Sequence, residues 1–132
     1  MARPPEPAVQ SSLENGVLVL TVLWAQIEGE EAAHELGRGI QEALTRTGAT
    51  AVVVDLRHTR FLSSAAFWPL LNLRRQLQPK GGRLLICGLS GAVEDVFYTT
   101  RMVSAGGALD APFQVAPDRD AAVARLSAAA PS

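Results

Sequence analysis

Ala51-Val-Val-Val-Asp-Leu-Arg-His-Thr-Arg-Phe-Leu-Ser-Ser-Ala-Ala-Phe67 passes through three kinds of local chemistry in quick succession. Ala51 to Leu56 is apolar without alternation, the pattern of a strand covered on both faces. Arg57 to Leu62 interrupts it with a basic loop. Ser63 or Ser64 then offers a hydroxyl as N-cap for a helix running to about Gln78, closed by Pro79-Lys-Gly-Gly82. The core stripe of that helix is Ala66, Leu70, Leu73 and Leu77, with Phe67 and Leu71 alongside. A buried strand that feeds a helix in this way is the repeating unit of a parallel α/β sheet.

The chain on either side repeats the unit. Upstream, Leu13-Glu-Asn-Gly16 carries an Asn-Gly turn ahead of Val17-Leu-Val-Leu-Thr-Val-Leu-Trp24, which predicts a hairpin whose first strand is short. Gly29 to Thr47 is helical in period, with Leu36, Ile40, Ala43 and Leu44 on one face and the pairs Glu35/Arg38 and Glu42/Arg46 on the other; Gly48 ends it. Downstream come a buried strand at Arg83 to Leu89 and a helix capped by Ser90, with Glu94 and Asp95 in its first turns and Val93, Val96 and Phe97 facing inward. A strand near Phe113 to Ala116 and a helix from about Asp118 to Ala128 follow. Residues 1–12 and 128–132 are too rich in Pro, Ala, Ser and Gln to order themselves and are expected as disordered tails. The prediction is a three-layer α/β domain over residues 13–127, with a mixed, mostly parallel central sheet of about five strands and about four helices.

At 132 residues and 48% hydrophobic content the chain has room for one core and no second domain. Twelve Lys and Arg against thirteen Asp and Glu leave a net charge of -1, so no long-range field favours nucleic acid or an anionic membrane. The single cysteine, Cys87, sits in an apolar run and reads as a small core residue. No apolar stretch approaches the roughly 20 residues that span a bilayer, and the N-terminus lacks the apolar segment of a secretion signal, so a cytoplasmic protein is expected. His34 and His58 have no metal-ligand spacing. Gly81-Gly82 precedes a strand, Gly88-Leu-Ser-Gly-Ala92 has no P-loop lysine, and no Gly-x-Ser-x-Gly elbow occurs. A non-enzyme without cofactor or metal is the expectation.

The blocks Asp55 to Phe67, Leu70-Leu71, Gly81-Gly-Arg-Leu-Leu-Ile-Cys-Gly-Leu-Ser90, Val93 and Val96-Phe97 resemble the STAS pattern of anti-sigma factor antagonists over about Val17 to Met102. In that family a strand ends in Asp-Leu, a short loop leads to Asp-Ser-Ser/Thr-Gly at a helix start, and a Gly-Gly turn feeds the next strand. The resemblance places Ser64 on the phosphorylated Ser/Thr; Ser63 replaces the preceding Asp, Ala65 the following Ser or Thr, and Ala66 the Gly. Glu28 falls near an acidic position of the family, while Ala25 stands where Gly is common. The resemblance implies a module that docks a serine-kinase-type anti-sigma factor through Arg57 to Trp68 and Trp24 to Glu31. Phosphorylation of Ser64, or less readily Ser63, would weaken the complex and a phosphatase would restore it, with ATP and magnesium belonging to the kinase. Other roles consistent with it are a scaffold in a signalling assembly and a partner of a lipid or anion transport system; self-association is left open. From a different class, a small enzyme acting on a phosphorylated substrate would use Asp55 or His58 as acid or base.

Residue chemistry supports a switch at this place independently. A hydroxyl at a helix N-terminus accepts backbone N–H bonds, and a phosphate there adds about -1.5 to -2 charges at pH 7 beside the positive helix end. Arg57, His58 and Arg60 stand ready to steady a phosphate or meet an acidic partner rim. Trp68, one turn beyond Ser64 and off the core stripe, is a candidate anchor. Pro69 frees the Ala65 carbonyl and is expected to bend the first turn. Each feature has a plainer counterpart: the serines as simple N-caps, Trp68 packed on the Gly29 to Thr47 helix, the basic loop as a solvated loop, and Asp55 as a hydrogen-bond acceptor for that loop.

Overall fold

The computed structural model describes residues 6–102 and 113–129. Its first hairpin joins β1 (Val9–Glu14) to β2 (Val17–Val22), with Val9 opposite Val22 and Glu14 opposite Val17. Asn15 and Gly16 both have positive φ, 53° and 80°, the backbone of a two-residue turn whose twist matches the strands it joins. The remaining elements are β3 (Gln26–Ile27), α1 (Gly29–Thr47), β4 (Ala51–Asp55), β5 (Phe61–Leu62), α2 (Phe67–Leu77), β6 (Arg83–Cys87), α3 (Gly91–Thr99), β7 (Gln114–Ala116) and α4 (Arg119–Ala129). The central sheet has the order β1-β2-β4-β6-β7, antiparallel at β1 and parallel elsewhere. The apolar β4 lies in the middle, as its composition predicts.

Strand alternation divides the core into two layers. Leu18, Leu20, Val22, Val52 and Val54 face α1, α2 and α3, where Leu36, Ile40, Leu70, Leu73 and Phe97 meet them. Val17, Val19, Val53, Leu85 and Cys87 face α4, through Ala122, Val123 and Leu126. The five-stranded mixed sheet and four α-helices are therefore the predicted three-layer fold. Phe97 packs edge-on against Phe67 and Phe113, with ring centroids 5.0 and 6.1 Å away.

Three local expectations change. Residues 9–12, read as tail, belong to β1, which is as long as β2. The polar run Gln10-Ser-Ser12 gives no burial signal because β1 is an edge strand, held by its backbone ladder. Arg46 of α1 donates to Ser11 Oγ at 2.6 Å and Arg119 of α4 to Ser12 Oγ at 3.2 Å. Upstream of β1, Leu23 N–H donates to the Ala8 carbonyl and Trp24 Nε1–H to the Glu6 carbonyl. Residues 1–5 and 130–132 of the expected tails lie outside the described residues, and α4 continues to Ala129.

The helix expected directly from Ser63 or Ser64 begins instead as a 3-10 turn, Ser64–Ala66, in which Ala66 N–H donates to the Ser63 carbonyl at 3.0 Å. Only from Phe67 is it an α-helix, so Pro69 falls in the first α-turn, where a missing N–H costs nothing. The serine hydroxyls expected as caps make no bond to their own helices at Ser63 or Ser90.

Candidate functional site

The site is built where β4 ends. Leu56 N–H donates to the Cys87 carbonyl, and the chain then turns around Asp55, whose Oδ1 accepts the Arg57 N–H at 3.0 Å. Asp55 is 1% exposed; its Oδ2 lies 3.7 Å from Arg57 Nε, and no hydrogen bond to it forms among the described residues. Gly88 presses against this turn at φ 75°: a Cβ there would lie 2.7 Å from both Asp55 Oδ1 and Arg57 N. Asp55 thus serves as the acceptor that starts the loop. Its register neighbour Cys87 has its thiol pushed up to about 12 by burial, with the Asp55 and Asp118 charges adding to the effect. At neutral pH it stays a thiol within the core, as its apolar run predicts.

The loop is fastened to the one leaving β2. Thr59, 1% exposed, donates its N–H to the Leu56 carbonyl and its hydroxyl to the Trp24 carbonyl at 3.0 Å. The Ala25 carbonyl accepts from both Arg60 N–H and Phe61 N–H, and β5 pairs in parallel with β3. Ser63 N–H then donates to the Ile27 carbonyl at 2.9 Å, and Ser63 Oγ accepts the Gly29 N–H at 3.2 Å. Ser63 therefore caps the start of α1, a helix 34 residues earlier in sequence, and not its own.

This cap has a measurable worth. Ser63→Ala removes one acceptor from a helix end and is expected to cost about 1 kcal/mol, whereas Ser64→Ala, at an exposed side chain, should stay within about 0.5 kcal/mol. Urea unfolding of the two variants checks this; equal costs would place the α1 cap elsewhere.

Ser64, Glu28, Arg57, His58 and Arg60 are exposed and Ser63 is half-buried. Trp68 is 70% exposed, the solvent-facing alternative of the two weighed from sequence. The Ser63–Gly29 bond brings Ser63, Ser64 and Glu28 to one edge. The basic loop residues are held differently: Arg57 leans back to Asp55 and onto His58, its Nε 3.3 Å from His58 Nε2. Among the described residues, Arg57, His58 and Arg60 make no hydrogen bond or ion pair to Ser63 or Ser64.

Trp24, expected at the start of a docking segment, is 4% exposed with its ring in the core. It follows the strand pattern of β2 inward, and its backbone carbonyl is what serves the site. Phe61, 39% exposed at the base of the loop, is an apolar surface residue that sequence reasoning did not single out. Glu30 and Glu31, inside the Trp24 to Glu31 segment expected to dock, fall in the first turn of α1, where acidic residues suit the helix dipole. Among the described residues no cluster of three His, Cys, Asp or Glu could hold a metal ion, and no helix is long and apolar enough to cross a membrane.

A model of the STAS domain matches residues 14–106, from the end of β1 past α3. Solved structures agree in fold. An anti-sigma factor antagonist from Mycobacterium paratuberculosis is 22% identical, with 96% of this chain and 98% of that chain covered and a TM-score of 0.72. An anti-sigma-factor antagonist (STAS) domain protein from Planctomyces limnophilus is 16% identical, with coverages of 90% and 97% and a TM-score of 0.74. The Bacillus cell fate determinant SpoIIAA, in its phosphorylated form, is 19% identical, with coverages of 90% and 99% and a TM-score of 0.62. With the family model spanning β2, β4 and β6 of the sheet, the loop after β4 and the helix that follows Ser64, this chain belongs to the STAS domain family.

Proposed function

We propose that this chain is an anti-sigma factor antagonist: a regulatory module without catalytic chemistry of its own, which docks a serine-kinase-type anti-sigma factor and is switched at Ser64. The observation that carries this reading is the exposed Ser64 at the start of the turn leading into α2, with the 70% exposed Trp68 one turn further on. Buried aromatic anchors ringed by polar groups dominate protein interfaces, and Trp68 is such an anchor before it is covered. Glu28, Ser63 and the Arg57 to Arg60 loop form the rim. Solved anti-sigma factor antagonists share the fold, among them SpoIIAA, whose structure is solved in both unphosphorylated and phosphorylated forms.

Ser64 is the better acceptor of the two serines because its side chain is exposed, while Ser63 Oγ is engaged by Gly29. The kinase transfers the γ-phosphoryl group of ATP to Ser64 Oγ, releasing ADP and the hydroxyl proton. The added charge, about -1.5 to -2 at pH 7, lands at the edge where the Ser63–Gly29 bond brings Glu28, and beside the apolar Trp68 contact, and it disfavours the complex. A phosphatase removes the group and restores docking. The partner, the kinase and the cytoplasmic setting all belong to this proposal.

Ser64→Asp should weaken the complex with the cognate anti-sigma kinase at least about tenfold, or about 1.4 kcal/mol, while Ser64→Ala binds like the wild type and takes up no phosphate. Isothermal titration with the kinase, and mass spectrometry after incubation with ATP, read both. Wild-type affinity for Ser64→Asp, with phosphate still incorporated into Ser64→Ala, would sink the switch.

A further inference from the structure

Between α1 and α2 lies an open groove of about 700 Å³ that the Ser64 face touches only at Ala65 and Trp68. The two helices run in the same direction: Ser63 meets Gly29 at one end, and Pro69 meets Gly37 further along, where a Cβ on Gly37 would lie 3.4 Å from Pro69 Cβ. Small residues line the floor, Ala33 and Gly37 with Ala65 at the Ser64 end, and Trp68, Pro69 and Leu71 stand on the α2 side. The α1 wall, from Glu30 to Gln41, extends about 16 Å at 1.5 Å per residue. That is the length of about three helical turns.

The charges at its ends differ. Glu30 stands at the Ser64 end, while Arg38 and Arg75 stand at the other. Arg38 is held by Glu35 and Glu42 at 3.0 and 2.7 Å, whereas Arg75 forms no ion pair among the described residues. The groove therefore offers an apolar floor, an exposed tryptophan wall, one acidic end and one uncommitted arginine.

We infer that this groove receives an amphipathic helix of a partner protein, apolar face inward, with an acidic first turn against Arg75 and a basic last turn at Glu30. Helices carry acidic residues at their N-termini and basic ones at their C-termini to suit their own dipole. The charge order of the groove then sets the incoming helix antiparallel to α1 and α2. Its anchors recur at i, i+3, i+4 and i+7, the spacing that reads a groove between two helices. This surface goes beyond the Ser64 switch, and a partner seated in it does not have to be the kinase.

The test uses the full chain and a synthetic helical peptide with leucines at i, i+3, i+4 and i+7, glutamates in its first turn and lysines in its last. A second peptide has the charges exchanged, and 1-naphthylacetate represents a small aromatic acid. Tryptophan fluorescence is the readout, since Trp24 is buried and Trp68 is not. The first peptide is expected to shift Trp68 emission to the blue and to bind about fivefold or more tightly than the exchanged one. Trp68→Ala should lose about tenfold in affinity, measured by peptide anisotropy, and Arg75→Glu should reverse the preference between the peptides. Ser64→Asp adds negative charge at the lysine end, so it should leave peptide binding intact or tighter while weakening a kinase complex, which separates failure of the groove from failure of the switch. No shift with either peptide, equal binding of the two, or binding of 1-naphthylacetate alone would overturn the inference.

Discussion

Phe97→Ala is expected to destabilise the protein by about 3–5 kcal/mol, the largest loss anticipated from any single truncation discussed. Phe97 is 0% exposed and edge-on to Phe67 and Phe113, so its ring ties α3 to the start of α2 and to the residue preceding β7. Truncation removes its transfer free energy and leaves a cavity that three separate elements would have to move to fill. For a domain of this size that corresponds to a Tm lowered by about 10–20 °C, against a total stability of about 5–15 kcal/mol. Tyr98, the next residue on the same helix, is 37% exposed and serves as the control. Tyr98→Ala should cost no more than about 1 kcal/mol. Calorimetry on the pair decides the matter, because similar Tm losses would mean that helix propensity and not ring packing holds α3.

Gly88→Ala should cost on the order of 3 kcal/mol, part of it from backbone conformation and part from contact. At φ 75° a side chain incurs about 1–2 kcal/mol, and the new Cβ would also lie 2.7 Å from Asp55 Oδ1 and Arg57 N. Neither atom yields freely: they are joined by the 3.0 Å bond that starts the loop, and Asp55 is buried. The loop has to shift, carrying Thr59 away from the Trp24 carbonyl and Arg60 and Phe61 away from the Ala25 carbonyl. Gly48→Ala isolates the backbone part, since Gly48 has φ 65° with nothing within 4 Å of an added Cβ. Denaturant unfolding should therefore rank Gly88→Ala about 1–2 kcal/mol below Gly48→Ala, with amide NMR shifts spreading from Arg57 to Ser64 only in the former. Equal stabilities and undisturbed loop amides would refute the contact.

The sequence revealed the elements that carry an apolar face, the three-residue β7 among them, and left the polar β1 and the two-residue strands obscure. Gly29 to Thr47 was legible because nineteen residues carry a full helical period, with Leu36, Ile40, Ala43 and Leu44 on one face, and end at a left-handed Gly48. β4 was legible because both faces of a central strand must be apolar. β1 was legible only as a short strand ahead of the Asn15-Gly16 turn: an edge strand satisfies its backbone along one side, so Gln10, Ser11 and Ser12 carry no hydrophobic alternation to betray its full length. β3 and β5, two residues each, are too short for any period, and their pairing depends on partners far apart in sequence. At the site, the exposure of Trp68 followed from its place off the Leu70/Leu73/Leu77 stripe only as one of two alternatives, the other being packing on α1. The role of Ser63 did not, because its partner is a backbone N–H of another helix, which no side-chain pattern records. Arg57, His58 and Arg60 are adjacent to the serines in sequence, but Arg57 is turned back by Asp55, an orientation set by one buried carboxylate.

The fastening of the β2 and β4 loops has a consequence for biosynthesis. Thr59 to Trp24, Ser63 to Ile27 and Ser63 to Gly29 all join the segment after β2 to the segment after β4, two strands paired side by side in the sheet. A ribosome-bound chain that has emerged only as far as the hairpin and α1 displays neither rim nor anchor. Under the proposed docking, a partner that engages this face would therefore engage only molecules that have completed their central sheet.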